Sequence, residues 1–196
     1  MDRTLKFALA SLVFNISFAT YHLVLGLVTS SWWLLTLGSY YLLLSIVRFA
    51  VLRSKSKERF ITIFTGWMLI ALFLPLAGTV VLSTVQDRGR EHHMIVMIAL
   101  AAYAFTKITL ATVKFIKARR SSSAVLIALK NISLADALVS IFALQRSMLV
   151  SFEGMTKEEI VIMNTALGSA VCMIVMLLGL NLLKNKKILF NKLNQT

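Results

Sequence analysis

The sequence predicts an all-α membrane protein in which six transmembrane helices form one bundle and both termini are cytoplasmic. Hydrophobic residues make up 58% of the chain and charged residues 15%, whereas charged residues make up about a quarter of a typical soluble domain. Six apolar runs are each long enough to cross a bilayer as a helix, which takes about 20 residues. They cover residues 5–29, 31–51, 60–85, 94–116, 124–150 and 160–183. Their length and regularity favour helices over a β-barrel.

The first two runs are predicted spans separated by a tight turn at residues 29–31. The first run is too long for the hydrophobic region of a secretory signal and includes Asn15 and His22, so we interpret it as a span. Trp32 and Trp33 lie at the start of the second run, directly after the turn. Aromatic residues concentrate at membrane interfaces, so this pair predicts the outer end of the span.

The third to sixth runs are predicted spans joined by connections too short to fold separately. Residues 1–183 therefore form the predicted bundle, with Lys107 in the fourth run and Asp136 in the fifth. Residues 184–196 form a basic cytoplasmic tail in which lysines alternate with apolar residues. We expect this tail and the basic inner connections to contact anionic lipid headgroups. The alternative is that they act as topology anchors and nothing more.

The distribution of basic residues predicts the orientation. Fifteen of the 21 Lys and Arg residues fall at residues 3–6, 48–59, 114–120 and 184–192. These four groups lie on one side if the spans alternate, and the positive-inside rule makes that side cytoplasmic. The opposite side has fewer basic residues, among them Arg146. This segregation accounts for the net charge of +13 without a nucleic-acid partner. We predict a multi-pass protein of the cell inner (plasma) membrane.

The sequence contains no motif that predicts an enzyme. It lacks a nucleophilic serine motif, a P-loop, a zinc-protease motif and a dinucleotide-binding turn, and none of the runs carries two carboxylates. Cys172 is the one cysteine, which rules out an intrachain disulfide and a cysteine metal cluster. We therefore expect no catalytic activity, no cofactor and no metal site.

A polar stripe on the fifth run is the main candidate for a functional site. At about 100° per residue, one third of the helix surface carries Lys130, Ser133, Asp136, Ala137 and Ser140. Lys107 and Asp136 are predicted at similar depth on consecutive spans, so we expect an ion pair that faces the bundle interior. This pair either joins the two helices or lines a polar path, and the sequence leaves both open.

Two stretches resemble the cation diffusion facilitator family. NISFATYHLVLGLVTSSWWLLTLGSYYLLLSIVRF is similar to the first two helices of that family, and SSSAVLIALKNISLADALVSI is similar to its fifth helix. The resemblance implies a six-helix fold and places the family's metal ligands at Tyr40, Leu44, Ile132 and Asp136. Asp136 alone has a side chain of the family's ligand type, so zinc export by the family's mechanism is not expected.

Most of the chain also resembles an uncharacterised family of small bacterial six-helix membrane proteins. The stretches YYLLLSIVRF, AYAFTKITLATVKFIK and LKNISLADALVSIFALQRSML carry this resemblance. It implies the six-helix architecture and a bacterial origin, and it implies no particular activity.

These observations predict a transporter-like protein that moves a small or ionic solute through a polar interior. The first, second, fourth and fifth spans would line it with Asn15, His22, Ser39, Tyr40, Ser45, Lys107, Lys130, Asn131, Ser133 and Asp136. The alternative is a non-transporting accessory or sensory membrane subunit. Small residues on the sixth span predict a homodimer through Ala166, Ser169 or Ala170, Met173 and Gly179.

Overall fold

The chain forms a bundle of seven α-helices in the computed structural model, which describes residues 3–53, 58–85, 94–118, 123–151 and 155–193. The helices are α1 (Arg3–Val28), α2 (Trp32–Arg53), α3 (Glu58–Ala71), α4 (Phe73–Val85), α5 (Met94–Ala118), α6 (Ala124–Ser151) and α7 (Lys157–Leu193). No strand occurs within those ranges. The all-α class is therefore confirmed, and α3 and α4 together occupy the third predicted span.

The lengths and surfaces of the helices are those of a membrane protein. Five helical segments of the described chain are long and apolar enough to cross a membrane: Leu9–Val28, Trp32–Arg53, Glu58–Val85, Ala124–Leu149 and Lys157–Lys184. In the 25-residue α5 the apolar stretch of the described part is shorter, Ala104–Val113. Large apolar side chains cover the outside of the bundle, including Val13, Leu27, Trp67, Leu74 and Leu177, each more than half exposed. A soluble protein rarely exposes so much apolar surface.

The third span is divided at Leu72, where the sequence predicts a continuous helix. Pro75 has no backbone N–H, so the carbonyl of Ala71 loses the donor it would have in an α-helix. The helix resumes at once, because Leu72 N donates to Met68 O at 2.9 Å and Leu76 N donates to Leu72 O at 3.3 Å. The interruption is therefore a local gap in one helical rod.

Local sequence signals explain two helix ends. After α1, Ser30 adopts a positive φ of 49°, while Ser31 N donates to Gly26 O and Ser30 N donates to Leu27 O. This pair of bonds is a Schellman motif, which satisfies terminal carbonyls and turns the chain sharply. Before α7, Thr156 and Glu159 each accept a bond from the other's backbone N–H, forming a capping box.

The two central helices are α2 and α6. α2 packs against α1, α4 and α6, and α6 packs against α2, α3, α5 and α7. Their fully buried side chains include Leu37, Leu44, Ile132 and Phe142. Because α1 packs on α2 and α5 packs on α6, the interior faces of these four helices meet, and they carry the polar residues described below.

Gly179 lies inside the bundle, so its predicted place on a dimer face is wrong. A Cβ added at Gly179 would lie 2.9 Å from Gly66 O, so these two glycines allow α3 and α7 to approach closely. Ala166, Ser169 and Met173 are exposed on α7. The homodimer itself stays a prediction.

The predicted lipid-binding regions are described in part. The inner connections at residues 54–57 and 119–122 lie outside the described residues. α7 continues from the sixth predicted span to Leu193, so the predicted tail begins as part of that helix. Contact of these basic regions with anionic headgroups stays a prediction.

Candidate functional site

Asp136 is the centre of a buried polar cluster to which four helices contribute. Its side chain on α6 is 3% exposed. Oδ1 accepts a hydrogen bond from Lys107 Nζ on α5 at 2.6 Å. Oδ2 accepts one from Asn15 Nδ2 on α1 at 2.9 Å and lies 3.4 Å from Arg48 Nη2 on α2. One carboxylate thus contacts donors from three other helices, and the Lys107–Asp136 contact has the geometry of the predicted ion pair.

Arg48 belongs to this cluster, whereas the sequence predicts it in the basic group that ends the second span. Its side chain is 1% exposed, with Nη1 donating to Ser11 Oγ and Nη2 lying 3.5 Å from Ser133 Oγ. The helical period of α2 indicates that Arg48 faces the interior. Arg48 follows the fully buried Tyr41 by two turns, whereas Arg53 at the helix end is exposed. Arg48 is therefore an interior residue, and its use as an orientation signal is wrong.

Two aromatic rings cover Lys107 on the side of the cluster toward the Trp32 end of α2. Lys107 Nζ lies 4.7 Å from the ring centroid of Tyr41 and 5.9 Å from that of Phe18. At this distance the ring faces attract the ammonium group. The Tyr41 hydroxyl lies 3.2 Å from Ser140 Oγ, which donates to the carbonyl of Asp136 at 2.8 Å. The rings and the ion pair therefore form one connected group.

His22 lies one layer further toward the Trp32 end. Its ring meets Phe18 edge-on with centroids 4.5 Å apart and stacks on Tyr41 at 6.2 Å. The residue is 8% exposed. Asn15 and His22 are seven residues apart on α1, so they share one helix face.

The other predicted lining residues lie around the cluster with varied surroundings. Ser39, Ser45 and Asn131 donate to carbonyls one turn earlier in their own helices, at 2.8, 2.8 and 2.9 Å. Such bonds satisfy polar side chains inside an apolar helix. Lys130 is half-buried on α6, six residues before Asp136. Ser39 and Ser45 thus lie on α2, and Lys130 and Asn131 on α6, the two central helices.

Tyr40 is the predicted lining residue whose polar atom is least satisfied. Its ring is fully buried and meets the ring of Tyr41 edge-on at 5.7 Å. Its hydroxyl has no hydrogen-bond partner among the described residues. A buried hydroxyl without a hydrogen-bond partner is energetically unfavourable.

The positions that the resemblance assigns to metal ligands do not form a ligand set here. Leu44 and Ile132 are fully buried hydrocarbon side chains, and both carboxylate oxygens of Asp136 already accept hydrogen bonds. Within the described residues, three or more His, Cys, Asp or Glu side chains nowhere come together as a metal site would require. The geometry of a cation diffusion facilitator site is therefore not reproduced at these residues.

A second buried arginine, Arg146, lies on α6 ten residues after Asp136, a rise of about 15 Å. The sequence predicts it on the side opposite the cytoplasm, but it is 5% exposed and lies inside the bundle. Nη1 donates to Ser83 O at 2.7 Å, and the guanidinium carbon lies 4.7 Å from the ring centroid of Trp33. Ser83 is in the last turn of α4, where carbonyls lack helical donors and carry partial negative charge.

No protein-family model matches the chain, and no curated protein is significantly similar to it in sequence. The chemistry available at the Asp136 cluster is therefore the basis for a functional conclusion. A carboxylate, a guanidinium, an ammonium group and an amide meet there in an apolar interior and exchange hydrogen bonds with one another.

Proposed function

We propose that the chain is a transporter-like membrane protein that moves a small or ionic solute through the polar interior between α1, α2, α5 and α6. The observation that supports this proposal is the convergence of Asn15, Arg48 and Lys107 on the carboxylate of Asp136. Ionisable residues inside membrane spans are costly, and they commonly mark the pathways of ions and substrates. An ion pair between Lys107 and Asp136 would be enough to join α5 to α6. The further donors from α1 and α2 are not required for that purpose.

We further propose six membrane spans, with α5 as the fourth, in the inner membrane of a bacterium. The 25 residues of α5 rise about 37 Å, which exceeds the roughly 30 Å of a hydrocarbon core. The basic groups near residues 3–6, 53–59, 114–120 and 184–192 favour cytoplasmic termini.

Reporter fusions test this topology. Reporters fused after residues 55 and 122 and at the C-terminus should lie in the cytoplasm. Reporters fused after residues 89 and 154 should lie on the external side. A single inner connection found on the external side would contradict the alternating arrangement.

Solute flux across liposome membranes tests the transport function. The purified protein, reconstituted in liposomes that contain a panel of labelled ions and small solutes, should dissipate the gradient of at least one of them. Asp136→Asn should abolish that flux, because it removes the charge that organises the cluster. Protein-free liposomes and an Arg146→Met variant provide the controls. A folded protein that dissipates none of the gradients would contradict the proposal.

A second candidate, an accessory or sensory membrane subunit, is supported by the dense packing beside the cluster. Tyr40, Leu44 and Ile132 are fully buried around α2 and α6, an arrangement that also suits a rigid, purely structural interior. This candidate predicts a fixed protein partner in native membranes. Co-purification of one stoichiometric partner, together with absence of flux by the chain alone, would favour it over transport.

A further inference from the structure

We propose that the Asp136 cluster binds a small inorganic or carboxylate anion, an inference that rests on the proposed transport function and names its substrate class. The feature that carries it is the placement of two basic side chains, Arg48 and Lys107, on a single carboxylate. Their exposed fractions are 1% and 9%. The cluster therefore holds more positive than negative groups in a nearly dry interior.

The apolar runs of the sequence contain one carboxylate. Of its eight Asp and Glu residues, Asp136 alone lies inside an apolar run. Arg48 brings a positively charged guanidinium to the cluster. Excess charge of one sign is unfavourable where the dielectric constant is low. A small anion that enters the cluster supplies the missing negative charge.

The contacts of Arg48 leave its guanidinium available to such an anion. A strong arginine–carboxylate pair has two parallel N–H···O bonds of about 2.7–2.9 Å. Arg48 makes one contact with Asp136, at 3.4 Å, whereas Lys107 lies 2.6 Å from the other oxygen. The hydroxyl groups of Ser11 and Ser133 lie beside the same guanidinium. An anion bound there replaces the loose Asp136 contact and leaves the Lys107 and Asn15 bonds in place.

The same geometry disfavours a cationic substrate. Oδ1 of Asp136 accepts from Lys107 and Oδ2 from Asn15, so a metal ion at either oxygen would lie beside an N–H donor that already occupies one of its lone pairs. It would also approach two positively charged side chains. The substrate class inferred here is therefore opposite in charge to the metal cations that the family resemblance implies.

Equilibrium binding of radiolabelled chloride to the purified full chain in detergent tests the site directly. We expect saturable binding that unlabelled nitrate and acetate compete away. Zinc gluconate should compete no better than sodium gluconate at the same gluconate concentration. Arg48→Met should weaken chloride binding by about tenfold to a hundredfold, the usual effect of losing a charged hydrogen bond. Arg146→Met changes the net charge equally at another buried arginine, and it should leave the affinity within about threefold.

The Asp136→Asn variant separates an anion site from a cation site by the sign of its effect. This substitution removes the internal carboxylate that competes for Arg48, so chloride should bind about tenfold more tightly. If the variant is unstable, chloride should raise its unfolding temperature more than that of the unchanged protein. Loss of all binding in this variant would overturn the proposal, as would equal weakening by Arg48→Met and Arg146→Met.

The binding and flux experiments can contradict the anion site and the transport function separately. Saturable chloride binding without flux would retain the anion site and contradict transport. Flux of a cation with no chloride binding to the folded protein would retain transport and overturn the anion site.

Discussion

Arg48 and Arg146 are both buried arginines on the central helices, and they are stabilised in different ways. Arg48 contacts the full negative charge of Asp136 and two serine hydroxyls. Arg146 contacts a carbonyl in the last turn of α4 and the face of Trp33, which carry partial charges. The comparison shows that a buried arginine can be stabilised either by a carboxylate in an ionic cluster or by a carbonyl at a helix terminus. The contacts of each arginine, and not its position in the sequence, show which of these applies.

Removal of the carboxylate should produce the largest loss of stability. Asp136→Asn leaves Arg48 and Lys107 facing each other without a counter-charge, and breaking a buried ion pair on one side costs about 3–5 kcal/mol. The free energy of unfolding in detergent, from denaturant titration, measures the loss. A loss smaller than that of Arg146→Met would reverse the comparison between the two regions.

Lys107→Met should cost less, because Asp136 keeps its contacts with Asn15 and Arg48. A hydrogen bond to a charged group contributes about 1.5–3 kcal/mol, which sets the expected loss. The double variant with Asp136→Asn should lose less than the sum of the single losses, because Lys107 is then no longer left beside Arg48 without its counter-charge. Strict additivity in this double-mutant cycle would mean that the two side chains do not couple.

Substitution of the second arginine should have a smaller effect. Arg146→Met removes a bond to Ser83 O but also removes a buried charge, so we expect a loss of about 1–2 kcal/mol. Arg146→Lys retains the charge and serves as the matched variant. If Arg146→Met loses as much as Asp136→Asn in the same denaturant titration, the two arginines are not held by interactions of different strength.

Trp33→Leu should have the smallest effect of the four. The ring face lies 4.7 Å from the guanidinium carbon of Arg146, and a cation–π contact of this kind contributes about 0.5–2 kcal/mol. In an Arg146→Met background, this part of the loss should vanish. Thermal unfolding of the two single variants and the double variant measures the coupling. If Trp33→Leu loses as much stability in the Arg146→Met background as in the unchanged protein, the ring does not stabilise Arg146.

The sequence predicts the helices well because the signals for a membrane span are local. Length and hydrophobicity place α5 and α6 within a few residues of their observed ends, and the polar stripe of α6 follows from the helical period. The division at Leu72 has its cause in the sequence too, since Pro75 removes one backbone donor.

The composition of the cluster depends on interactions that are not local. Lys107 and Asp136 lie on consecutive helices, α5 and α6, and their predicted depths alone predict their contact. Asn15 and Arg48 reach Asp136 because of how α1 and α2 are rotated about their axes, and packing against other helices sets this rotation. Gly179 shows the same limit, because a small residue permits close approach to another helix without specifying which one.

The gap at Leu72 divides one helical rod into two halves that pack separately on α7. Six residues before the gap, Gly66 allows α3 to approach Gly179 closely, and eight residues after it Val80 of α4 lies against Gly168. Helices bend most readily at a proline or at a missing backbone bond. We therefore expect the third predicted span to follow the curvature of α7 by bending at Leu72, with close contacts on both sides of the bend.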